Sequence, residues 1–598
     1  AFEDRGERRL APGVTRRLFA VREGDQASEP AILTATRPAA TAAFVGRGDE
    51  MARLDAALDA AFRGAGGLVM LSGDPGIGKS RTAAELAARA EARGALVLVG
   101  RCYEREGAPP YWPWVQILRG LAREGDPESV RRWMGPGAAE IASLVPEVAE
   151  RLGPVAAAAP VSDPEQARFR LLDAVACALA AASEDRPLLL VLEDLHAADP
   201  GSLRLLELVA RELAGHRALL VGSYRDGEVP RAHPLAETLA ELSREGRSER
   251  VALEGLSRRD VERFIAAAAG RPAPPGLVDA CLVQTEGNPL FLTELVRLLL
   301  QEGGLAWGGD EGDWTPRIPE GVRAVIARRL DRLSEPCRAT LGLGAALGRE
   351  VDLRTLCALA DDAPEDEVLE ALEEAAAARV LDEVPGSAGR YAFSHALIRE
   401  TLLEELSAAR RARLHARAVA ALERLYGDAQ EAHAAEILHH ALQAEPLLGP
   451  EPVVRHALAA GEAALASRAY EEAADLFRRA LDTLGPAAAD DRAAAAHFGL
   501  GRALLASREL HELDEAVASL RRAFDLLLAA GEPGRAIAVA AHPLPPHLMY
   551  EPTGVTRLVS RALELAPPDS AEAARLLAVR GWFAGIDEAD ADRAQESF

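Results

Sequence analysis

From Phe44 onward the hydrophobic pattern alternates between short apolar runs and longer stretches with helical spacing. Leu68-Val-Met-Leu-Ser72, Leu96-Val-Leu-Val99, Leu188–Leu192 and Ala218-Leu-Leu-Val-Gly222 read as strands. The unbroken run Leu188–Leu192 is what a central parallel strand needs when both of its faces are covered. Helical stretches such as the alanine-rich Ser80–Arg93 lie between the strands. This alternation predicts a doubly wound α/β core over residues 44–250, a parallel sheet with helices on both faces. Beyond residue 250 strands nearly vanish. Residues 251–317 read as helical. Ile318–Leu333 and Ser334–Gly348 read as amphipathic helices, and a small wing around Val380–Phe393 completes a unit of residues 318–430. Residues 431–598 are helical, with repetition beyond Glu451. At the other end, residues 1–21 form a hairpin pattern turning at Pro12-Gly13, and residues 22–43 lack periodicity and read as a linker.

Composition narrows the class. The 598 residues carry a formal net charge of −25, and 49% are hydrophobic. At roughly 150 residues per domain, about four domains are expected. The acidic balance argues against a general nucleic-acid-binding surface and gives no polybasic membrane patch. No apolar run reaches the ~18 residues a transmembrane helix needs, and no signal peptide opens the chain. Cys102, Cys177, Cys281, Cys337 and Cys357 are scattered without metal-ligand spacing, and read as reduced, buried thiols of a cytoplasmic protein. The chain starts at Ala1 and ends at Phe598 inside a helical pattern, so a longer parent protein is expected. Lys79 is the one lysine; every other basic residue is arginine or histidine. A lysine kept against that bias points to a place where a compact ammonium on a thin stem must reach between phosphates.

That lysine belongs to Gly73-Asp-Pro-Gly76-Ile-Gly78-Lys79-Ser80, a full match to G-x-x-x-x-G-K-[ST] set between a strand and a helix. Glycines at 73, 76 and 78 let the backbone wrap so that its N–H groups face phosphate oxygens. The following helix adds the positive end of its dipole. Lys79 is expected to bridge β- and γ-phosphates and Ser80 to ligate Mg²⁺, with Arg81 beside them. ATP or ADP with Mg²⁺ is the expected cofactor set. Downstream, the apolar strand ends in Glu193 and Asp194. Two uncompensated carboxylates there would be costly, so a cation or water network is expected nearby. Glu193 and Asp194 are candidates for the metal shell with Ser80 and for positioning the attacking water. Asp is the more usual residue at the Glu193 position in P-loop enzymes.

Several segments together carry a family resemblance. Phe44-Val-Gly-Arg47-Gly-Asp-Glu50 resembles the entry motif of Orc1-like AAA ATPase domains. Glu193-Asp-Leu-His-Ala-Ala-Asp199 resembles the Walker B segment of STAND signalling ATPases, with Ala197 where Trp is common. Gly222-Ser-Tyr-Arg225 resembles their sensor-one arginine, and Gly287-Asn-Pro289 their G-x-P motif, which contacts the base. Arg101-Cys-Tyr-Glu and Pro110-Tyr-Trp-Pro-Trp114 resemble the segment after the second strand in bacterial members. The resemblance covers about residues 44–430. It implies nucleotide-site roles for Arg47, Arg225, Gly287 and Pro289, a helical lid over 251–317 and a winged-helix domain over 318–430. Acidic Asp361-Asp-Ala-Pro-Glu-Asp366 favours packing over DNA contact for that domain. Phe393-Ser-His395-Ala-Leu-Ile-Arg399 loosely resembles the Met-His-Asp motif of NB-ARC switches, implying that His395 meets bound ADP; Ala396 departs from the usual Asp.

Tyr470-Glu-Glu-Ala473, Phe477, Ala480 and Leu481 share a spacing with Ala516, Leu520 and Ala523, and Ala562-Leu563 with Pro567 repeats its end. This resembles tetratricopeptide repeats, which implies a protein partner. The hairpin from Phe2 to Val21 resembles the closing hairpin of class III adenylate/guanylate cyclase domains, whose metal and substrate residues are absent from this sequence. The expected function is a slowly hydrolysing signalling ATPase. Its nucleotide state would govern a repeat-mediated contact, an attached cyclase or an oligomer. The alternatives are a large ATP-binding LuxR-type regulator with its DNA-binding domain outside this sequence, and a repeat scaffold that binds nucleotide only for structure.

Overall fold

The computed structural model describes residues 2–11, 14–21, 44–103, 108–153, 163–246, 248–301, 322–360, 364–384, 387–507, 512–543 and 554–586. Phe2–Ala11 (β1) and Val14–Val21 (β2) pair antiparallel, with Ala11 opposite Val14. The expected turn at Pro12-Gly13 and the expected linker lie outside the described residues.

Gly67–Ser72 (β3), Leu96–Arg101 (β4), Leu188–Glu193 (β5), Ala218–Tyr224 (β6) and Ser248–Ala252 (β7) form one parallel sheet in the order β4-β5-β6-β3-β7. Successive side chains leave a strand on opposite faces. Val69, Leu71, Leu189, Val191, Leu219 and Val221 meet helices Gly48–Phe62 and Lys79–Ala92 through Leu54, Leu58 and Leu86. Leu68, Met70, Leu188, Leu190, Leu192 and Leu220 face the opposite layer, with Trp114, Leu118, Leu179 and Leu206. Both faces are therefore dry, which is why the central strands are apolar without alternation. Each fully buried large side chain contributes about 1.5–3 kcal/mol. The helices of the second layer start cleanly: Asp163 and Asp199 accept from backbone N–H groups at the starts of Pro164–Asp185 and Pro200–Glu212, each with proline at its first position.

The hydrophobic pattern does not mark β7. At this sheet edge only Val251 is buried, so the strand has no apolar run to read. It also carries the sheet across the core boundary expected at residue 250.

Helices Arg258–Ala269, Pro275–Thr285 and Pro289–Gln301 follow, packed around Leu277, Cys281, Leu292 and Val296. Residues 322–426 then combine helices with a small antiparallel sheet of Glu350–Asp352 (β8), Leu381–Glu383 (β9) and Arg390–Phe393 (β10), in the order β8-β10-β9. β9 and β10 occupy the segment read as a wing. The helix expected from Ile318 is described from Val322.

Beyond it, helices stack as successive neighbours through Ile586. Phe477 is fully buried, and a Cβ at Gly461 or Gly499 would stand 2.8 or 2.3 Å from its ring. Small residues on two helices thus admit one large ring from a third. The stack returns to the core. The Tyr470 hydroxyl donates to the Pro164 carbonyl at 3.0 Å, and Glu471 pairs with Arg168 at 3.0 Å and Arg204 at 2.9 Å. Among the described residues no helix is long and apolar enough to cross a membrane.

Candidate functional site

The loop joining β3 to helix Lys79–Ala92 holds three glycines at positive φ: Gly73 at +144°, Gly76 at +78° and Gly78 at +105°. A Cβ at Gly73 would lie 2.6 Å from the Leu253 carbonyl oxygen, and one at Gly76 2.8 Å from the Leu290 side chain. Conformation and space both require glycine at 73 and 76. Lys79 is buried, and its ammonium donates to the carbonyls of Gly73 at 2.7 Å and Asp74 at 3.0 Å. Burial lowers its pKa against the opposing charge of Asp194. The ammonium spans its own loop at the place where phosphate oxygens would compete for it.

β5 delivers the acids. Glu193 is 3% exposed. It accepts from Arg101 Nε at 2.8 Å and from a second nitrogen of the same guanidinium, a fork supplied by neighbouring β4. Burial pushes the Glu193 carboxyl upward, but Arg101, the bonded Ser80 hydroxyl and Arg349 outweigh it and hold the group below the usual range. Asp194 sits at φ +61°, a left-handed conformation in which Asp is enriched over most residues. Its N–H donates to the Ser223 hydroxyl of β6 at 3.2 Å. Its carboxylate lies 3.9 Å from Arg101 and 3.9 Å from Arg349. A buried acid beside a hydroxyl and a second carboxylate is a hard oxygen donor set of the kind Mg²⁺ takes. The glycine cradle beside it fits a phosphate chain.

Other residues singled out from the sequence fall around this centre in different ways. Arg47, at φ +65°, donates to the Ile77 carbonyl at 2.7 Å and pairs with Glu50 at 3.1 Å, so it braces the loop. Arg225 pairs with Glu228 at 2.7 Å, and its charge acts on Lys79. Arg81 is half-buried, on the helix that follows the loop. Gly287 is held at φ +73°, where a Cβ would stand 2.4 Å from the Leu256 carbonyl oxygen. Pro289 opens its helix, and a Cβ on Gly78 would meet its ring at 3.9 Å. His395 precedes helix Ala396–Glu404. Burial pushes its pKa down to about 4 against the charge of Glu294, with Arg349, Arg297 and Arg329 also acting on it. That places it at the seam between helix Pro289–Gln301 and the 322–426 unit.

Five contributors carry no role in the sequence motifs. Asn288 donates from its side chain to the Pro75 carbonyl at 3.0 Å, tying the Gly-Asn-Pro segment to the loop. The Leu290 N–H adds a bond to the Gly76 carbonyl at 3.3 Å. Arg101 and Asn288 lie in segments already singled out, so their polarity next to motif positions was the available signal. Ser223 lies within Gly222-Ser-Tyr-Arg225, where the motif's signal sits on the arginine. Arg349 carries no local signal, because only the packing of a separate unit brings it here.

Fold and site together define a core of the P-loop NTPase type. Residues 43–221 match the AAA ATPase domain family, AAA_16. An uncharacterized protein of Rhizobium meliloti (strain 1021) is 27% identical over 473 residues, which are 76% of this chain and 44% of that relative. The chain therefore spans less than half the length of that relative. Among solved structures, a Signal Transduction ATPase with Numerous Domains (STAND) protein with a tetratricopeptide repeat sensor, from Pyrococcus horikoshii, aligns over 93% of this chain and 77% of its own. Its identity is 14% and its TM-score 0.41. A Walker-type ATPase of Pyrococcus abyssi covers 62% of this chain and 99% of its own, at 15% identity and TM-score 0.28.

Proposed function

We propose that this chain is the nucleotide switch of a signal-transduction ATPase. One observation supports this above the others: two separate units end on the same site. Helix Pro289–Gln301 and its Gly-Asn-Pro approach tie to the phosphate loop at Pro75 and Gly76, while Arg349 of the 322–426 unit reaches Asp194. In this reading Gly73, Gly76, Gly78 and Lys79 hold the phosphates of ATP or ADP. Mg²⁺ held by Ser80, Glu193 and Asp194 would neutralise charge developing on the transferred phosphoryl group. Arg101 keeps Glu193 ionised. Asp194 orients water, and its short side chain holds that water less firmly than a glutamate would, so turnover is slow. Slow turnover suits a switch whose state must persist long enough to be read.

The 322–426 unit acts as a winged-helix domain that packs and does not contact DNA. The helices of 431–598 act as tetratricopeptide-like repeats that take a protein partner, with nucleotide-dependent oligomerisation as a further output. β1–β2 is the closing hairpin of a class III cyclase domain upstream, and the protein works in the cytoplasm. The test combines hydrolysis with limited proteolysis in ATP, ADP or neither. Turnover below roughly 1 s⁻¹, the low end of typical enzymes, with an ATP-dependent change in the cleavage pattern, supports the switch. ATP binding with neither hydrolysis nor a changed cleavage pattern would leave a scaffold that binds nucleotide for structure alone.

A further inference from the structure

Away from the nucleotide site, three histidines meet where the 322–426 unit joins the helical stack. His415 lies on helix Ala408–Tyr426, and His439 and His440 lie on the next helix, Ala434–Leu448. His415 and His440 are buried, at 6% and 1% exposure. Their Nδ1 atoms stand 2.8 Å apart. The ring of His439 meets both others edge-on, with centroids 6.0 Å from His415 and 5.3 Å from His440. One ring nitrogen from each of the three lies within 4.8 Å of the other two.

We propose that His415, His439 and His440 form a binding site for a divalent transition-metal ion, with Zn²⁺ the best match. The donor set is three neutral imidazoles, which suits Zn²⁺, Cu²⁺ or Ni²⁺ and not Mg²⁺ or Ca²⁺. Zn–N bonds of about 2.0–2.1 Å in a tetrahedron separate ligand nitrogens by roughly 3.3 Å. The His415–His440 pair at 2.8 Å needs to part by about 0.5 Å, and nitrogens now up to 4.8 Å apart need to close by up to about 1.5 Å, movements that side-chain rotation can supply. His415, on the facing helix, has its ring centroid 6.0 Å from that of His439 and 5.1 Å from that of His440, so it lies within reach of both. The fourth position is left for water. The two helices already pack through Val419, Leu422, Ile437, Leu438 and Ala441, so the ion meets a largely preformed frame. Bound there, it staples the last helix of the 322–426 unit to the first helix of the stack.

The experiment uses the full chain without an affinity tag, stripped with chelator and free of nucleotide, so that the phosphate site does not take up metal. Zn²⁺ alone is titrated by calorimetry, and Co²⁺ is added separately to read the visible band of tetrahedral coordination. The expected result is one Zn²⁺ per chain with micromolar or tighter affinity. His415→Gln and His440→Gln should each weaken it at least ten-fold, with circular dichroism reporting that both variants fold. His439→Gln should weaken it less and shift the Co²⁺ spectrum. Zn²⁺ uptake below one per chain, or uptake equal in wild type and the His415→Gln and His440→Gln variants, would overturn the site and leave a hydrogen-bonded histidine pair.

Discussion

The Arg349 guanidinium stands 3.9 Å from the Asp194 carboxylate, so the 322–426 unit places a positive charge where the acid pair is proposed to meet Mg²⁺. The approach is close on both sides of the arginine. A Cβ at Gly348 would stand 3.4 Å from the Tyr103 hydroxyl, and the charge of Glu350 acts on Arg101. Arginine and metal then compete for one carboxylate. The acid is buried but the arginine is 32% exposed and the two stand at the long end of ion-pair range, so the pair is worth on the order of 1 kcal/mol, a factor of roughly five in affinity. Arg349→Ala is therefore expected to lower the Mg²⁺ concentration needed for ATP binding by up to about five-fold. Displacement of a fluorescent nucleotide across a Mg²⁺ series measures it. An unchanged Mg²⁺ dependence would remove Arg349 from the acids' chemistry.

Lys79→Ala should abolish tight ATP binding while leaving the fold largely intact. Loss of a charge-assisted phosphate contact costs roughly 1.5–3 kcal/mol, about 10- to 150-fold in affinity. The lysine's hydrogen bonds to the Gly73 and Asp74 carbonyls lie within its own loop, so its removal is expected to leave the sheet in place. Calorimetric titration with ATP decides it, and equal affinity would refute the phosphate assignment.

Asp194→Asn should lower turnover at least ten-fold while preserving ATP affinity within a few-fold. The substitution is clean for a conformational reason. Asn is also enriched at positive φ, so the +61° backbone is kept while the charge is lost. Steady-state phosphate release beside a binding titration separates the two effects. Undiminished turnover would move the water-positioning role elsewhere.

Glu472 lies where the helical stack meets the core, with one buried carboxylate oxygen that has no hydrogen-bond partner among the described residues. Burial, with Asp199 and Asp475 nearby, pushes its pKa up to about 8. A raised carboxyl binds its proton more tightly in the folded state than in the unfolded one. Its contribution is full below the ordinary value near 4.5 and is lost as pH rises to about 8. Stability should fall across that window with a slope of up to about 1.4 kcal/mol per pH unit from this group. Glu472→Gln should flatten the profile. Denaturant melts between pH 5 and 8 test it, and equal slopes in both proteins would show that the group titrates normally.

How much was legible depended on how locally each residue's role is determined. Gly73 and Gly76 are set by φ and by the space a Cβ would need, and Lys79 stood out against an arginine-only background. Leu188–Leu192 announced a two-faced strand, and the acids at its end followed. β7 stayed hidden because an edge strand with one buried residue needs no apolar pattern. Asn288 carries no signal of its own because the motif is defined by its neighbours Gly287 and Pro289. Arg349 and the His415–His440 pair could not be read at all, since each exists only once distant helices and strands have packed.

Arg168 and Glu471 meet across 303 residues of sequence, which closes the chain into a ring. The entropy of closing such a loop grows only with the logarithm of its length, so length alone does little to hold the ring open. Faces tethered within one chain meet at an effective concentration that dilution does not lower. A free protein seeking the Tyr470–Glu471 face would compete against that contact at a disadvantage. Whatever opens the ring removes that disadvantage in one step. In the proposed reading, a partner of the repeats would then gain affinity without any change in the surface it recognises.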